Sequence, residues 1–342
     1  MRLVRFLAHP VSLVTGSSLV CVALLLAGEW AVRRAHPERL RRAPARSAVV
    51  HSTAYGWQLR ASWTQRDGTG FTTDAARCRR QPPPAAPGAP RVLVLGDSVT
   101  FGTGVADDET FAHLLGRRGR TVANFGVPGW GIDQSLLRFE REGAAFHPSV
   151  VALNVCLAND LADIMLASYL YDPQWPKPFF TIEGGALRLH DAHVHPSALR
   201  RAWRSLWEES HLLSLVASPA AGSPAEDEAH WQGRRKRAVK DEEAALRLAL
   251  LQIRRLRDEA TGAGARLVVL LHPDRAAFEE RSDLAALLEE ALRAEEIEAI
   301  DLGARYRGAG WAFSDLTVDG LGHLSPRGHQ VVADVLDATI QR

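Results

Sequence analysis

Apolar residues fall into two patterns along this chain. Near the start they form one long run, FLAHPVSLVTGSSLVCVALLLAG, over residues 6–28. From residue 91 onward they come in short bursts, each followed by a stretch of helical period. The bursts are RVLVLG from Arg91, TVANFG from Thr121, SVVALNV from Ser149, ARLVVLL from Ala265 and the short IEAIDL from Ile297. Between them lie ETFAHLLGRRG from Glu109, IDQSLLRFEREGAAF from Ile132, a stripe of Leu246, Leu250, Ile253 and Leu256, and a segment over 282–295. HQVVADVLDATI closes the chain as a last helix. Strands that are apolar along their whole length and alternate with helices predict a parallel sheet covered on both faces. The expected class is α/β: a three-layer α/β/α sandwich around a mostly parallel five-stranded sheet.

The first run contains no Asp, Glu, Lys or Arg. As a helix it is long enough to cross about 30 Å of hydrocarbon, and Trp30 stands at its end as an interfacial anchor. It is read as a single-pass anchor in the lipid bilayer; a cleaved signal segment and a buried helix are the competing readings. Its orientation is contested within the sequence. Arg33, Arg34, Arg39, Arg41, Arg42 and Arg46 follow the run, and only Arg2 and Arg5 precede it. Charge bias alone would keep the body in the cytoplasm. The short positive start and the Pro-rich spacer suit export, and a catalytic domain outside the cytoplasmic membrane is expected.

The resulting organisation is an anchor over 1–28, a linker with a small pre-domain over 29–90, and a main domain over 91–342. The pre-domain holds Trp57, Trp63 and Phe71, and QPPPAAPGAP stiffens the joint at 81–90. About 110 residues separate the third and fourth strands, too many for one crossover, so an insertion over about 161–240 is expected. Within it SALRRAWRSLWEESHLLSLV reads as helical and SPAAGSPAEDE as an exposed loop.

Composition narrows the field. The 342 residues are 46% hydrophobic and 24% charged with a net charge of +1, an ordinary globular balance. No zinc-finger spacing or nucleic-acid motif is present, so no nucleic-acid partner is expected. Cys21, Cys78 and Cys156 are odd in number and widely spaced; unpaired thiols are expected, with a Cys78–Cys156 pair as the alternative. His190, Asp191, His193 and His195 alternate as metal ligands can, but no fourth ligand is evident. No metal and no cofactor are expected. Nothing in the sequence fixes an oligomeric state.

The chemistry concentrates in LVLGDSVTFGTG, residues 93–104. A buried strand ends at Gly96, and Asp97 and Ser98 follow at its carboxyl end, where open parallel sheets bind ligands. Three further blocks follow in order: NFGVPGWG at 124–131, NVCLANDL at 154–161 and VDGLGHLSPRGH at 318–329. Together these blocks resemble the SGNH hydrolase family, the GDSL-like esterases and lipases, over roughly residues 91–340. The resemblance implies a flavodoxin-like sheet order and gives Ser98 the place of the nucleophile. It makes Asp319 the acid and His323 the base. The Ser98 N–H, Gly129 and Asn159 become the oxyanion donors. It extends to members with one N-terminal membrane helix.

Two departures stand out. The acid and base are spaced DGLGH, one residue longer than the family's DxxH, which leaves Asp315 a rival acid and His329 a rival base. Leu157 stands where the third block usually has glycine. Glycines at 320 and 322 give the longer loop room to adapt. The roles also follow from chemistry. A serine hydroxyl needs an adjacent base, an imidazole supplies it, and a carboxylate fixes the imidazole tautomer. Trp130 is expected to line a substrate pocket, with Trp175, Phe179 and Phe180 as further candidates. The expected activity is hydrolysis of short O-acyl esters, on small molecules or cell-envelope carbohydrate, through an acyl-enzyme. An O-acyltransferase and a catalytically silent scaffold are the alternatives.

Overall fold

The computed structural model describes residues 10–35, 48–65, 70–170, 172–190, 210–212, 233, 235–279, 282–320 and 322–341. Two units are distinguished: one of residues 1–47 and 196–223, the other of 48–195 and 224–342.

In the first unit a helix runs Pro10–Ala35. Its stretch Val14–Ala35 is long and apolar enough to cross a membrane, and its apolar side chains are exposed. The helix reaches seven residues past the apolar run, through Trp30, Arg33 and Arg34. Glu29 on its last turns accepts from the Ser210 hydroxyl at 2.6 Å and from the backbone of His211 and Leu212 at 2.9 Å. The rest of the expected insertion helix at 197–216, and the loop at 218–228, lie outside the described residues.

In the second unit the expected three layers are present. A hairpin of β1 (Val49–Ser52) and β2 (Gly56–Leu59) comes first. Five strands then form the central sheet: β3 (Arg91–Leu95), β4 (Thr121–Asn124), β5 (Val150–Cys156), β10 (Arg266–His272) and β11 (Glu298–Asp301). Their order is β11-β10-β5-β3-β4, and every pair is parallel. Between β5 and β10 lie two hairpins, β6 (Ser168–Tyr169) with β7 (Asp172–Pro176), and β8 (Phe179–Glu183) with β9 (Ala186–His190).

Side chains alternate across the sheet with period two. Leu93, Leu95, Val151, Leu153, Val155, Leu267, Val269 and Leu271 face one core, with the helices Ile132–Arg138 and Glu242–Gly262 above them. Val92, Val94, Ala152, Val268 and Leu270 face the other, packed by Phe111–Arg117 and Pro326–Ile340. Residues 48–80 add Tyr55, Trp57, Leu59, Phe71 and Cys78 to the first core, so the preface packs as part of this body. The helix expected over 132–146 is not uniform. Its α-helical part ends at Arg138, a π turn follows over Phe139–Gly143, and a tight turn finishes at Phe146.

Of the aromatic pocket candidates, Phe180 is core and Phe179 stacks on His190 at 5.0 Å. Trp175 meets Trp57 edge-on at 6.2 Å. His190 bonds the Thr181 hydroxyl at 2.7 Å, while Asp191, His193 and His195 lie outside the described residues. Cys78 and Cys156 are buried and free.

His329 has a packing role. It is fully buried on the last helix, stacks on Phe111 at 5.8 Å, and its Nδ1 accepts from the Phe111 N–H at 3.2 Å. Burial, then the charge of Arg79, presses it from 6.5 down to about 3; burial likewise holds His272 at about 4. Both are neutral in the fold, while the unfolded chain protonates them below its ordinary value. Their contribution is therefore complete above about pH 6.5 and is lost as pH falls, approaching about 1.4 kcal/mol per pH unit for each ring. The melting temperature is expected to fall between pH 6.5 and 4.5, and His329→Asn, which keeps an acceptor for Phe111, is expected to shallow that fall. Thermal melts followed by circular dichroism check it. Equal slopes in the two proteins would count against a buried neutral His329.

Candidate active site

The site is built from the loops that leave the carboxyl edge of the sheet. Strand β3 ends at Leu95, and Asp97 caps a single helical turn, Ser98–Phe101, by accepting from the Val99 N–H at 2.9 Å. The loop after β4 is tied to that turn. Asn124 donates to the Thr100 carbonyl and accepts from Gly126 N–H, both at 2.9 Å, and Val127 N–H donates to the Gly96 carbonyl at 3.1 Å. Gly129 lies farther along this loop at φ +78°, and the Tyr169 ring from β6 packs where a side chain would stand. No other residue fits that approach without displacing the ring. After β5, Asp160 accepts from the Cys156 N–H at 2.7 Å and opens a one-turn helix, Asp160–Asp163.

The fourth segment comes from the far end of the sequence. His323 Nε2 lies 2.9 Å from Ser98 Oγ, and its Nδ1 meets Asp319 Oδ2 in a very short contact. With Ser98 donating to Nε2, the ring proton belongs on Nδ1, facing the carboxylate. The other Asp319 oxygen accepts from the backbone of Gly322 and His323, both at 3.3 Å. One carboxylate thus holds both the ring and the loop. Gly320 and Gly322, at φ +68° and +133°, let the chain turn through the extra residue.

Burial works to depress His323, but the hydrogen bond and charge of Asp319, with the charge of Asp97, outweigh it and raise its pKa above 6.5. Such a ring takes a proton readily and holds it while positive charge is favoured nearby. Asp97 is buried and its carboxyl is pushed up by that burial, opposed by the Val99 N–H, His323 and the Asn159 amide. Asp163 is driven up to about 7 by burial, against the pull of Asn159 and Lys177.

Of the residues singled out in the sequence, Ser98, His323 and Asp319 come together. The rivals stand apart: Asp315 caps its own turn by accepting from the Ala312 N–H at 3.2 Å, and His329 sits under Phe111. Asn159 ends the β5 loop, its Nδ2 2.8 Å from Asp163 Oδ2. Trp130 requires a correction. It does not line a pocket; it is fully buried, its indole N–H donates to the Trp57 carbonyl at 3.0 Å, and its ring lies against Tyr55 at 5.2 Å. The chain around Gly129 turns the next side chain inward, beneath the hairpin of the preface. Among the described residues no cluster of His, Cys, Asp and Glu suits a metal ion.

Several residues of the site carry no signal in the sequence. Arg79 is buried and donates to the carbonyls of Phe101 and Val105 at 2.8 and 2.6 Å while pairing with Asp107 at 2.9 Å, so it clamps the end of the Ser98 turn. Arg138 donates to the Phe125 carbonyl at 3.2 Å and covers the Phe125 ring at 4.0 Å. Lys177 and Asp133, 44 residues apart, form a fully buried ion pair behind Asp163. Burial alone raises the Asp133 pKa, and Lys177 opposes that most strongly.

Among curated proteins none matches the chain. Among solved structures it is similar to a lipase/acylhydrolase from Enterococcus faecalis, at 15% identity over 73% of this chain and 95% of that one, with a TM-score of 0.40. A catalytic mutant of Axe2, an acetylxylan esterase from Geobacillus stearothermophilus, is similar at 13% identity over 72% and 92%, with a TM-score of 0.41. TesA is similar at 14% identity over 73% and 97%, also with a TM-score of 0.41. The family itself is shown by a separate match. The model of the GDSL-like lipase/acylhydrolase family covers residues 94–331, from within β3 to the closing helix, and the chain belongs to that family of ester hydrolases.

Proposed function

We propose that this protein hydrolyses O-acyl esters through an acyl-enzyme on Ser98. The observation that carries the reading is the unbroken line of contact from Ser98 Oγ through the His323 ring to Asp319. Ser98 Oγ attacks the ester carbonyl and passes its proton to His323 Nε2. The tetrahedral oxyanion is met by the N–H groups of Ser98 and Gly129 and by the Asn159 amide. Collapse breaks the carbon–oxygen bond of the ester, and His323 returns the proton to the departing alcohol. Water then repeats the sequence: His323 takes its proton, the hydroxide adds to the acyl carbon, and the acid leaves with Ser98 Oγ reprotonated. Asp319 holds the tautomer and favours the imidazolium.

We take the acyl group to be short and the alcohol to be carbohydrate of the cell envelope, on the resemblance to membrane-attached members of the family. The helix Val14–Ala35 supports a single-pass tether. The domain is placed outside the cytoplasmic membrane, with the spacer before residue 91 giving it reach.

Ser98→Ala is expected to lose turnover of p-nitrophenyl acetate on the order of a thousandfold or more while melting like the parent protein. A folded variant with undiminished turnover would sink the nucleophile assignment. With water as the sole acceptor, free acid is the expected product. Mass spectrometry showing acylated oligosaccharide in place of acid would replace hydrolysis by transfer. Asp319→Asn bears on the pH dependence. Activity needs neutral His323, so it falls as pH drops through a raised histidine pKa. Removing the carboxylate should move the acid limb of kcat/KM to lower pH as well as lowering kcat; an unmoved limb would assign the titration to another group. For location, alkaline phosphatase fused after residue 90 is expected to be active and a green fluorescent protein fusion dark. The opposite pair would put the domain inside.

A further inference from the structure

An asparagine amide is nearly symmetric in shape but not in hydrogen bonding. Its nitrogen end carries two donors and its oxygen end only lone pairs. Turned one way, Asn159 would stabilise an oxyanion; turned the other way, it would repel one. The question is what fixes the turn.

Asn159 stands among three buried carboxyl groups. Its Nδ2 lies 2.8 Å from Asp163 Oδ2 and 3.5 Å from Asp160 Oδ1, and Asp97 also accepts from its side chain. The oxygens of these carboxyl groups offer lone pairs, and the nitrogen end of the amide faces them. The carboxyl groups are not equivalent. Asp97 is already committed to the Val99 N–H at the start of the Ser98 turn. Asp163 sits one turn after Asn159 on the short helix Asp160–Asp163, and its Oδ2 accepts from the Asn159 amide. Its other oxygen, Oδ1, is buried with no hydrogen-bond partner. A half-satisfied buried carboxylate costs free energy that an apolar residue would not. Burial pushes the Asp163 carboxyl up to about 7, and the Asn159 bond and the charge of Lys177, itself anchored on Asp133, oppose that rise.

We propose that Asp163 is a positioning residue that holds the Asn159 amide with its nitrogen toward Ser98. The proposal rests on reading Asn159 as an oxyanion donor. Asp163 touches no reacting atom; it acts through Asn159 alone. Fixing one amide hydrogen on Asp163 turns the other toward the Asp97–Ser98 turn, where Asp97 accepts it until an oxyanion takes it over.

The experiment is a double-mutant cycle on the full chain, with p-nitrophenyl acetate as the probe and Ser98→Ala as the blank. Asn159→Ala is expected to lower kcat on the order of a hundredfold, as loss of an oxyanion donor does. Asp163→Ala is expected to lower kcat about tenfold or more with KM little changed, the signature of an interaction made in the transition state. In the Asn159→Ala background, Asp163→Ala is expected to add no further loss. Asp163→Asn keeps an acceptor oxygen at the same place and is expected to recover turnover to within about threefold of the parent. A full, additive loss in the Asn159→Ala background would overturn the proposal, since Asp163 would then act by another route. So would undiminished kcat in folded Asp163→Ala beside a damaged Asn159→Ala. Should Asp163→Ala fail to fold, Asp163→Asn carries the test, and a loss as large as that of Asn159→Ala overturns it. A harmless Asn159→Ala is a different result: it removes the oxyanion reading on which the positioning role depends.

Discussion

A parallel strand covered by helices on both faces has only its ends free, and that constraint arranges everything else in the catalytic body. Strand β3 buries Val92 and Val94 toward one core and Leu93 and Leu95 toward the other. After Arg91 at its start, its next polar side chains come past its carboxyl end, at Asp97 and Ser98. The same holds for β5, whose seven residues are all buried before Asn159 and Asp160 appear. Loops from neighbouring parallel strands leave on the same edge, so groups distant in sequence meet there without any dedicated device. The loop at 319–323 joins them because the last helix packs back across Phe111–Arg117 and delivers its preceding turn to the same edge.

Holding the site has required burying ionisable groups, which a fold tolerates when each finds a partner or is pushed toward its neutral form. Behind the Ser98 turn lie Asp97, Asp133, Asp160 and Asp163, all buried, with Lys177 as the buried cation at Asp133. Arg79 and Arg138 are buried as well, and each spends most of its donors on backbone carbonyls and a nearby carboxylate. Arg79 comes from the preface, before the stretch that matches the family, and Lys177 from between β7 and β8, in the long segment that separates β5 from β10. The preface and insertion are therefore structural members of the site. They close the rear of the catalytic edge, and Trp57, Tyr55 and Tyr169 seal the same region with aromatic contacts at 5.1 to 5.2 Å.

The pattern of apolar residues carried the sheet because β3, β5 and β10, its three inner strands, run apolar and buried through their lengths but for a few positions, as strands covered on both faces must. Ser98 was legible for the same reason: a polar pair directly after a buried strand has one place to go. The outcome at Trp130 had no such constraint. It follows Gly129, whose left-handed backbone redirects the chain, and adjacency in sequence to a site residue says nothing of which side a loop side chain takes. Choosing between His323 and His329 was likewise a matter of context. They stand six residues apart in one block, one on the loop before the helix and one on the helix. The capped helix start at Ser325 sends the second ring into the core, where desolvation keeps it neutral.

By itself the sequence determined the layers, the five central strands, the apolar N-terminal helix and the blocks that meet at the carboxyl edge, because hydrophobic period and strand burial are local properties of the chain. Only the tertiary structure decided which charges are buried. Arg79, Asp133, Asp163 and Lys177 read in the sequence as ordinary solvated residues, and nothing nearby announces their partners. Lys177 is bound to a carboxylate 44 residues away and Arg79 to one 28 residues away. A charge survives in the interior only through its partner and its burial together, and both are properties of the packed chain that no local pattern records.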